Sequence, residues 1–176
     1  MNNSVLEHTG RFVLLVLLQV ILFNYINFLG YINPYPYIMF IALFPVKNNR
    51  FAIIFLSFFL GLTIDLFSDT GGIHAAACVF IAYVRPVILK FSFGMIYDHQ
   101  TIKFNSVEFG EKLTYLTILT FLHHFILFFL ELFSVSKIIL ILQKTLFSGI
   151  FTILLILLIT IIFSRKTKWN DFYLQL

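Results

Sequence analysis

Charge is what this sequence has least of. Only 11% of its 176 residues are Asp, Glu, Lys or Arg, while 60% are hydrophobic and the mean hydropathy is +0.98. An ordinary soluble domain carries about 25% charged residues, so this scarcity excludes one. Cysteine is equally sparse: the single Cys78 excludes an intrachain disulfide. The basic residues never gather with stacking aromatics in a polar stretch, which excludes nucleic-acid recognition. No G-x-S-x-G elbow, H-E-x-x-H pair or Walker loop is present, so neither an enzyme nor a bound cofactor is expected. Internal repeats, low-complexity tracts and Gly/Ser linkers are missing too, leaving residues 1–176 as one integral membrane domain.

What the chain has is apolar length. Runs bounded by charges and turn residues predict an all-α protein with six transmembrane helices, over about 12–30, 31–46, 51–67, 72–93, 113–133 and 138–163. The apolar core of the second, Pro34 to Val46, reaches only about 20 Å at 1.5 Å per residue, against a hydrocarbon layer of roughly 30 Å. It crosses only by starting near Gly30 or by thinning the bilayer. The distribution of Lys and Arg favours keeping it. With the N-terminus in the cytoplasm, Arg11, Lys47, Arg50, Lys90, Lys103, Lys112, Arg165, Lys166 and Lys168 fall on the inner side, nine of the twelve basic residues. Lys137 alone falls outside, and Arg85 and Lys144 lie within spans. Both termini are therefore expected in the cytoplasm. The apolar stretch after Arg11 is similar to a secretory signal, but Asn24, Tyr25 and Asn27 follow it instead of a small-residue cleavage site, so it is expected to stay as the first span. The largest hydrophilic connection, Gly94 to Lys112, carries Tyr97, Asp98, His99, Lys103, Glu108 and Glu111 and is expected to be cytoplasmic.

Each ionisable residue inside a span needs a reason, since insertion costs about 2.5–3.5 kcal/mol. Helical rise puts Asp65 about 21 Å along the third span and Lys144 about 9 Å into the last from its outer end. Their depths match, so Asp65 with Lys144, or Glu131 with Lys144, are the pairs that depth allows. Arg85, roughly 20 Å along the fourth span, is too deep for Asp65 and is expected to snorkel to the inner headgroups. These charges read either as structural glue or as part of a ligand or partner site. His74 and Cys78 share a helix face at a spacing of four, but two ligands do not make a metal site. His123 and His124 point about 100° apart, so packed or hydrogen-bonded histidines are expected and no metal. The small residues Gly71, Gly72, Ala75, Ala76, Ala77 and Ala82 give the fourth helix faces suited to close helix contact, within the molecule or with a partner's helix.

The run Gly61-Leu62-Thr63-Ile64-Asp65-Leu66-Phe67, followed by Gly71-Gly72-Ile73-His74-Ala75-Ala76, has the pattern G-L-x-x-D-L, a short glycine-containing loop, then G-[IV]-H-A. It resembles the most recognisable segment of MreD, the rod shape-determining membrane protein of bacteria. About 30 residues, counted on to Tyr83 and Arg85, carry the likeness; the remainder is similar in length and hydropathy. The resemblance implies a noncatalytic component of the cell-elongation and peptidoglycan-synthesis machinery in the bacterial cytoplasmic membrane. Its partner would be the bitopic protein MreC, and through it MreB filaments, the RodA glycan polymerase and a penicillin-binding transpeptidase. The family is also similar in fold to the substrate-binding subunits of energy-coupling-factor vitamin transporters, which makes such a subunit the alternative. Those subunits carry A-x-x-x-A docking features in the first helix, and Phe12 to Gln19 contains no alanine. In the scaffold reading Asp65 organises the bundle, Asp69 serves the outer loop and caps the fourth helix, and Gly61, Gly72, His74, Ala75, Ala82 and Lys144 complete the candidate residues for bundle or partner contact.

Overall fold

The computed structural model describes residues 2–28, 30, 32–45, 49–94 and 107–173, with only the backbone given for residues 2–5, 7 and 162–173. Lys47, Lys103, Tyr97, Asp98 and His99 lie outside the described residues, as do the side chains of Arg165, Lys166 and Lys168. Among the described residues the fold is almost entirely helical, with α1 Asn2–Ile21, α2 Met39–Ala42, α3 Arg50–Ser68, α4 Ile73–Phe93, α5 Phe109–Leu132 and α6 Ile138–Tyr173. Within the described residues, five helical stretches are long and apolar enough to cross a membrane: His8–Tyr25, Arg50–Ser68, Ile73–Phe93, Phe109–Leu132 and Val135–Ile161. Large apolar side chains such as Phe55, Leu66, Phe91 and Ile139 face outward, whereas Gln19, Ser57, His74, Arg85, His123, His124 and Thr152 are buried. A polar interior inside an apolar surface is the distribution a multi-pass membrane protein requires.

The second apolar run differs most from its expected helix over 31–46. Pro34 and Pro36 fix their own φ, remove two N–H donors and push the residues before them into extended conformations. The chain accordingly reverses at Gly30, whose φ of 81° suits glycine, closes an antiparallel bridge between Phe28 and Ile32, and stays out of helix to Tyr35. A 3-10 turn over Pro36–Ile38 then leads into the four residues of α2. Non-helical backbone inside an apolar bundle survives only if its polar groups find protein partners. They do: Asn33 N–H donates to Ser148 Oγ at 3.3 Å, Tyr35 N–H to Thr152 Oγ1 at 3.0 Å, and Gln19 Nε2 donates to Pro34 O at 3.3 Å. Tyr37, Ile38, Ile41 and Ala42 are fully buried.

Neighbouring helices run antiparallel from α3 onward, with α4 between α3 and α5 and α6 against α5. The C-terminal ends of α1 and α3 meet instead, through Asn24 Nδ2 donating to Ser68 Oγ at 2.9 Å. The segment between them therefore returns along α1, contacting Gln19 at Pro34, Phe12 at Phe40 and His8 at Phe44 in turn.

Candidate functional site

The segment Gly61–Ala75 forms one interlocked hairpin. Asp65, in the last two turns of α3, turns its carboxylate to the start of α4: Oδ1 accepts from His74 N–H at 3.0 Å and from the Thr70 hydroxyl, and Oδ2 accepts from Ala75 N–H at 2.8 Å. Those amides are unpaired by helix geometry and carry the positive end of the helix dipole, so a carboxylate suits both needs. Gly72, at φ 99°, occupies the N-cap position, where a side chain would be strained. One turn before Asp65, Gly61 lets the two backbones touch: a Cβ there would sit 2.5 Å from Ala75 N and His74 O. Ala75 and Ala82 are buried inside the molecule, whereas Ala76 faces out.

Of the two pairs that depth allows, Glu131 with Lys144 is the one that forms: Lys144 Nζ lies 2.9 Å from Glu131 Oε1 and over the ring of Phe128. One expectation is corrected: the α4 cap is not Asp69. That residue is exposed in the left-handed conformation and ends α3, while Asp65 supplies the capping carboxylate.

Beneath the hairpin a ladder of buried polar rings crosses the bundle. Tyr37 Oη lies 2.8 Å from His74 Nδ1 and 2.9 Å from His123 Nε2. With one hydroxyl proton available, Tyr37 donates to one imidazole and accepts from the other. His124 Nδ1 faces Thr120 O at 2.8 Å and so carries the proton, and its Nε2 lies 3.1 Å from Thr152 Oγ1, whose own proton is directed to Ser148 O at 2.7 Å. The Tyr35 ring packs against both His74 and His124, each with a centroid distance of 5.4 Å. Cys78 is buried and free, and no three metal-ligating side chains converge among the described residues.

Farther along α4, Arg85 is 4% exposed, so it does not snorkel. Its Nε donates to Tyr115 Oη at 2.9 Å, and its Nη2 donates to Ala42 O and Phe44 O; Tyr115 Oη in turn donates to Ala42 O at 3.0 Å. Arg85 and Tyr115 thus take up the free carbonyls at the end of α2, doing for that short helix what a C-cap does elsewhere. The expectation of snorkelling fails because these acceptors come from a broken helix, whereas an intact one would have kept its carbonyls occupied.

Between the ends of α1, α3 and α5 lies a cavity of about 370 Å³ whose walls include Asn24, Asn33, Tyr35, Thr70, His74 and Glu131. Comparison with family models, curated proteins and solved structures finds no match. The site is therefore defined by its own geometry: a capped hairpin, a Tyr–His ladder and a polar cavity above it. Of the candidates from sequence, the structure joins Gly61, Asp65, Gly72, His74 and Ala75, and leaves Asp69, Ala82 and Lys144 apart. Tyr37, Tyr115, Asn24 and Thr152 were not singled out; the one signal for the first was the Pro34-Tyr35-Pro36-Tyr37 run, where two prolines expose backbone that needs polar neighbours.

Proposed function

We propose that this protein is a noncatalytic scaffold of the bacterial cytoplasmic membrane, acting in cell elongation as MreD-like proteins do and binding an MreC-like partner. Through that partner it would be tied to MreB filaments, RodA and a penicillin-binding transpeptidase. The observation that carries the reading is the use made of the G-L-x-x-D-L…G-I-H-A residues. Gly61, Asp65, Gly72 and Ala75 are all spent on fixing α3 to α4, so the segment that bears the resemblance builds a stiff hairpin. We infer six crossings with both ends in the cytoplasm, the second made by the broken segment that runs back along α1.

A second reading, a solute-binding subunit of a vitamin-type transporter with a related fold, draws support from the 370 Å³ polar-walled cavity, a volume within the range of small-molecule sites. Depletion from rod-shaped cells that express the protein separates the two. The scaffold reading expects the cells to round up with vitamin uptake unaffected; rods of normal shape that lose uptake of one vitamin would overturn it.

A further inference from the structure

A second cavity, of about 400 Å³, opens at the opposite end of the bundle, between the start of α3 and the middle of α4. Its charged walls are Arg50 and Arg85, and no carboxylate lines it. Arg85 is 96% buried by its 4% exposure and forms no ion pair among the described residues. Its Nε and Nη2 are occupied by Tyr115, Ala42 and Phe44, while Nη1 has no protein acceptor among the described residues. A buried guanidinium normally answers to a counter-charge. Here the protein supplies carbonyl dipoles on one side and leaves the cavity side open. The first turn of α3 adds the positive end of a 19-residue helix beside Arg50.

The remaining walls are apolar and reach the lipid-facing surface. Ile53, Ile54, Val84 and Pro86 line the cavity, and Tyr83 and Val87, both mostly exposed, stand at its rim. Arg50 begins α3, at the level of the headgroups, whereas Arg85 lies about 18 Å from the other end of α4. A ligand that satisfies both therefore carries negative charge at the interface and an apolar portion against α3 and α4.

We propose that this cavity binds the phosphodiester headgroup of an anionic phospholipid, held between Arg50 and Arg85 with its glycerol end against Val87 and Ile54. Basic pockets between membrane helices take lipid headgroups through this combination of charge and apolar wall. The inference goes beyond the scaffold reading and is independent of it, since lipid retention can be measured whatever the protein's partner.

The test is native mass spectrometry of the purified full-length chain, exchanged into a neutral detergent and offered phosphatidylglycerol, phosphatidylcholine or inorganic phosphate in turn. Phosphatidylglycerol should be retained and phosphatidylcholine released, and excess inorganic phosphate should not displace the former. Arg50 is exposed, so Arg50→Gln should fold as the native chain does; removing one basic residue near the headgroup should weaken retention about five-fold, and Arg50→Glu more than that. Val87→Trp, at the rim, should also reduce retention with Arg50 intact. Equal retention of the two lipids would overturn the proposal, as would full retention by Arg50→Glu. Displacement by inorganic phosphate would assign the site to a free phosphate and overturn the lipid assignment.

Discussion

Replacing Gly61 with alanine adds one methyl group where the backbones of α3 and α4 touch. The new Cβ would lie 2.5 Å from both Ala75 N and His74 O, about 1 Å short of the roughly 3.5 Å at which such atoms pack. Both obstacles are backbone, so no side-chain rotation relieves them, and α3 and α4 must separate by about that distance. The separation also draws Asp65 away from His74 N–H and Ala75 N–H, now 3.0 and 2.8 Å from its oxygens, beyond the limit of a good hydrogen bond. Overpacking alone costs about 1–3 kcal/mol, and weakening a charge-assisted bond adds to it, about 1.5–3 kcal/mol if the bond is fully lost. The expected total is about 3 kcal/mol or more, roughly two decades in the unfolding equilibrium at 1.4 kcal/mol per decade. Equilibrium unfolding in mixed micelles of dodecyl sulfate and a mild detergent measures it. Gly149→Ala is the control: its Cβ would meet the edge of the Phe121 ring at 3.0 Å, a side chain that can shift, so its cost should be under about 1 kcal/mol. If the two substitutions cost the same, the close backbone contact is not what holds the hairpin together.

Other perturbations address the remaining contacts. Asp65→Asn and Lys144→Gln should be additive in a double-mutant cycle, whereas Glu131→Gln and Lys144→Gln should couple by about 0.2–1 kcal/mol; coupling in the first pair would restore the pairing that the geometry excludes. Tyr37→Phe removes two buried hydrogen bonds, which at the values measured between membrane helices amounts to about 1–3 kcal/mol in the same unfolding assay. A cost within the roughly 0.5 kcal/mol of an ordinary surface change would mean that the ladder is not formed. Arg85→Met should cost about 1–3 kcal/mol by stranding the carbonyl of Phe44, since Ala42 O keeps the Tyr115 hydroxyl, and Tyr115→Phe about 1–3 kcal/mol; if Arg85→Met unfolds like the native chain, the carbonyl lock is wrong.

The five long helices were legible because an apolar run long enough to span has few other ways to satisfy its backbone. Their ends were less so. Helix α1 begins at Asn2, ten residues before the expected span, and α6 continues to Tyr173, ten beyond it, because a helix does not have to stop where its apolar residues do. The second run was legible as too short but not as broken: hydropathy averages over Pro34 and Pro36, while the backbone responds to each. Depth arithmetic allowed the Glu131–Lys144 pair that forms, yet gave no azimuth. Only the packing of α3 against α4 shows that Asp65 faces His74 and Ala75. The Tyr37 ladder and the Arg85 lock depend on where the broken segment threads, so they were out of reach for the same reason.

A scaffold of the kind proposed holds a membrane partner. The most direct measurement is gentle extraction of the chain from its own membrane in a mild detergent, purification, and identification of what remains bound. A bitopic MreC-like protein, retained in a fixed ratio, is the expected result. Recovery of ATPase subunits, or of a vitamin-sized molecule in the cavity between Asn24, Tyr35 and His74, would contradict the claim and favour the transporter subunit.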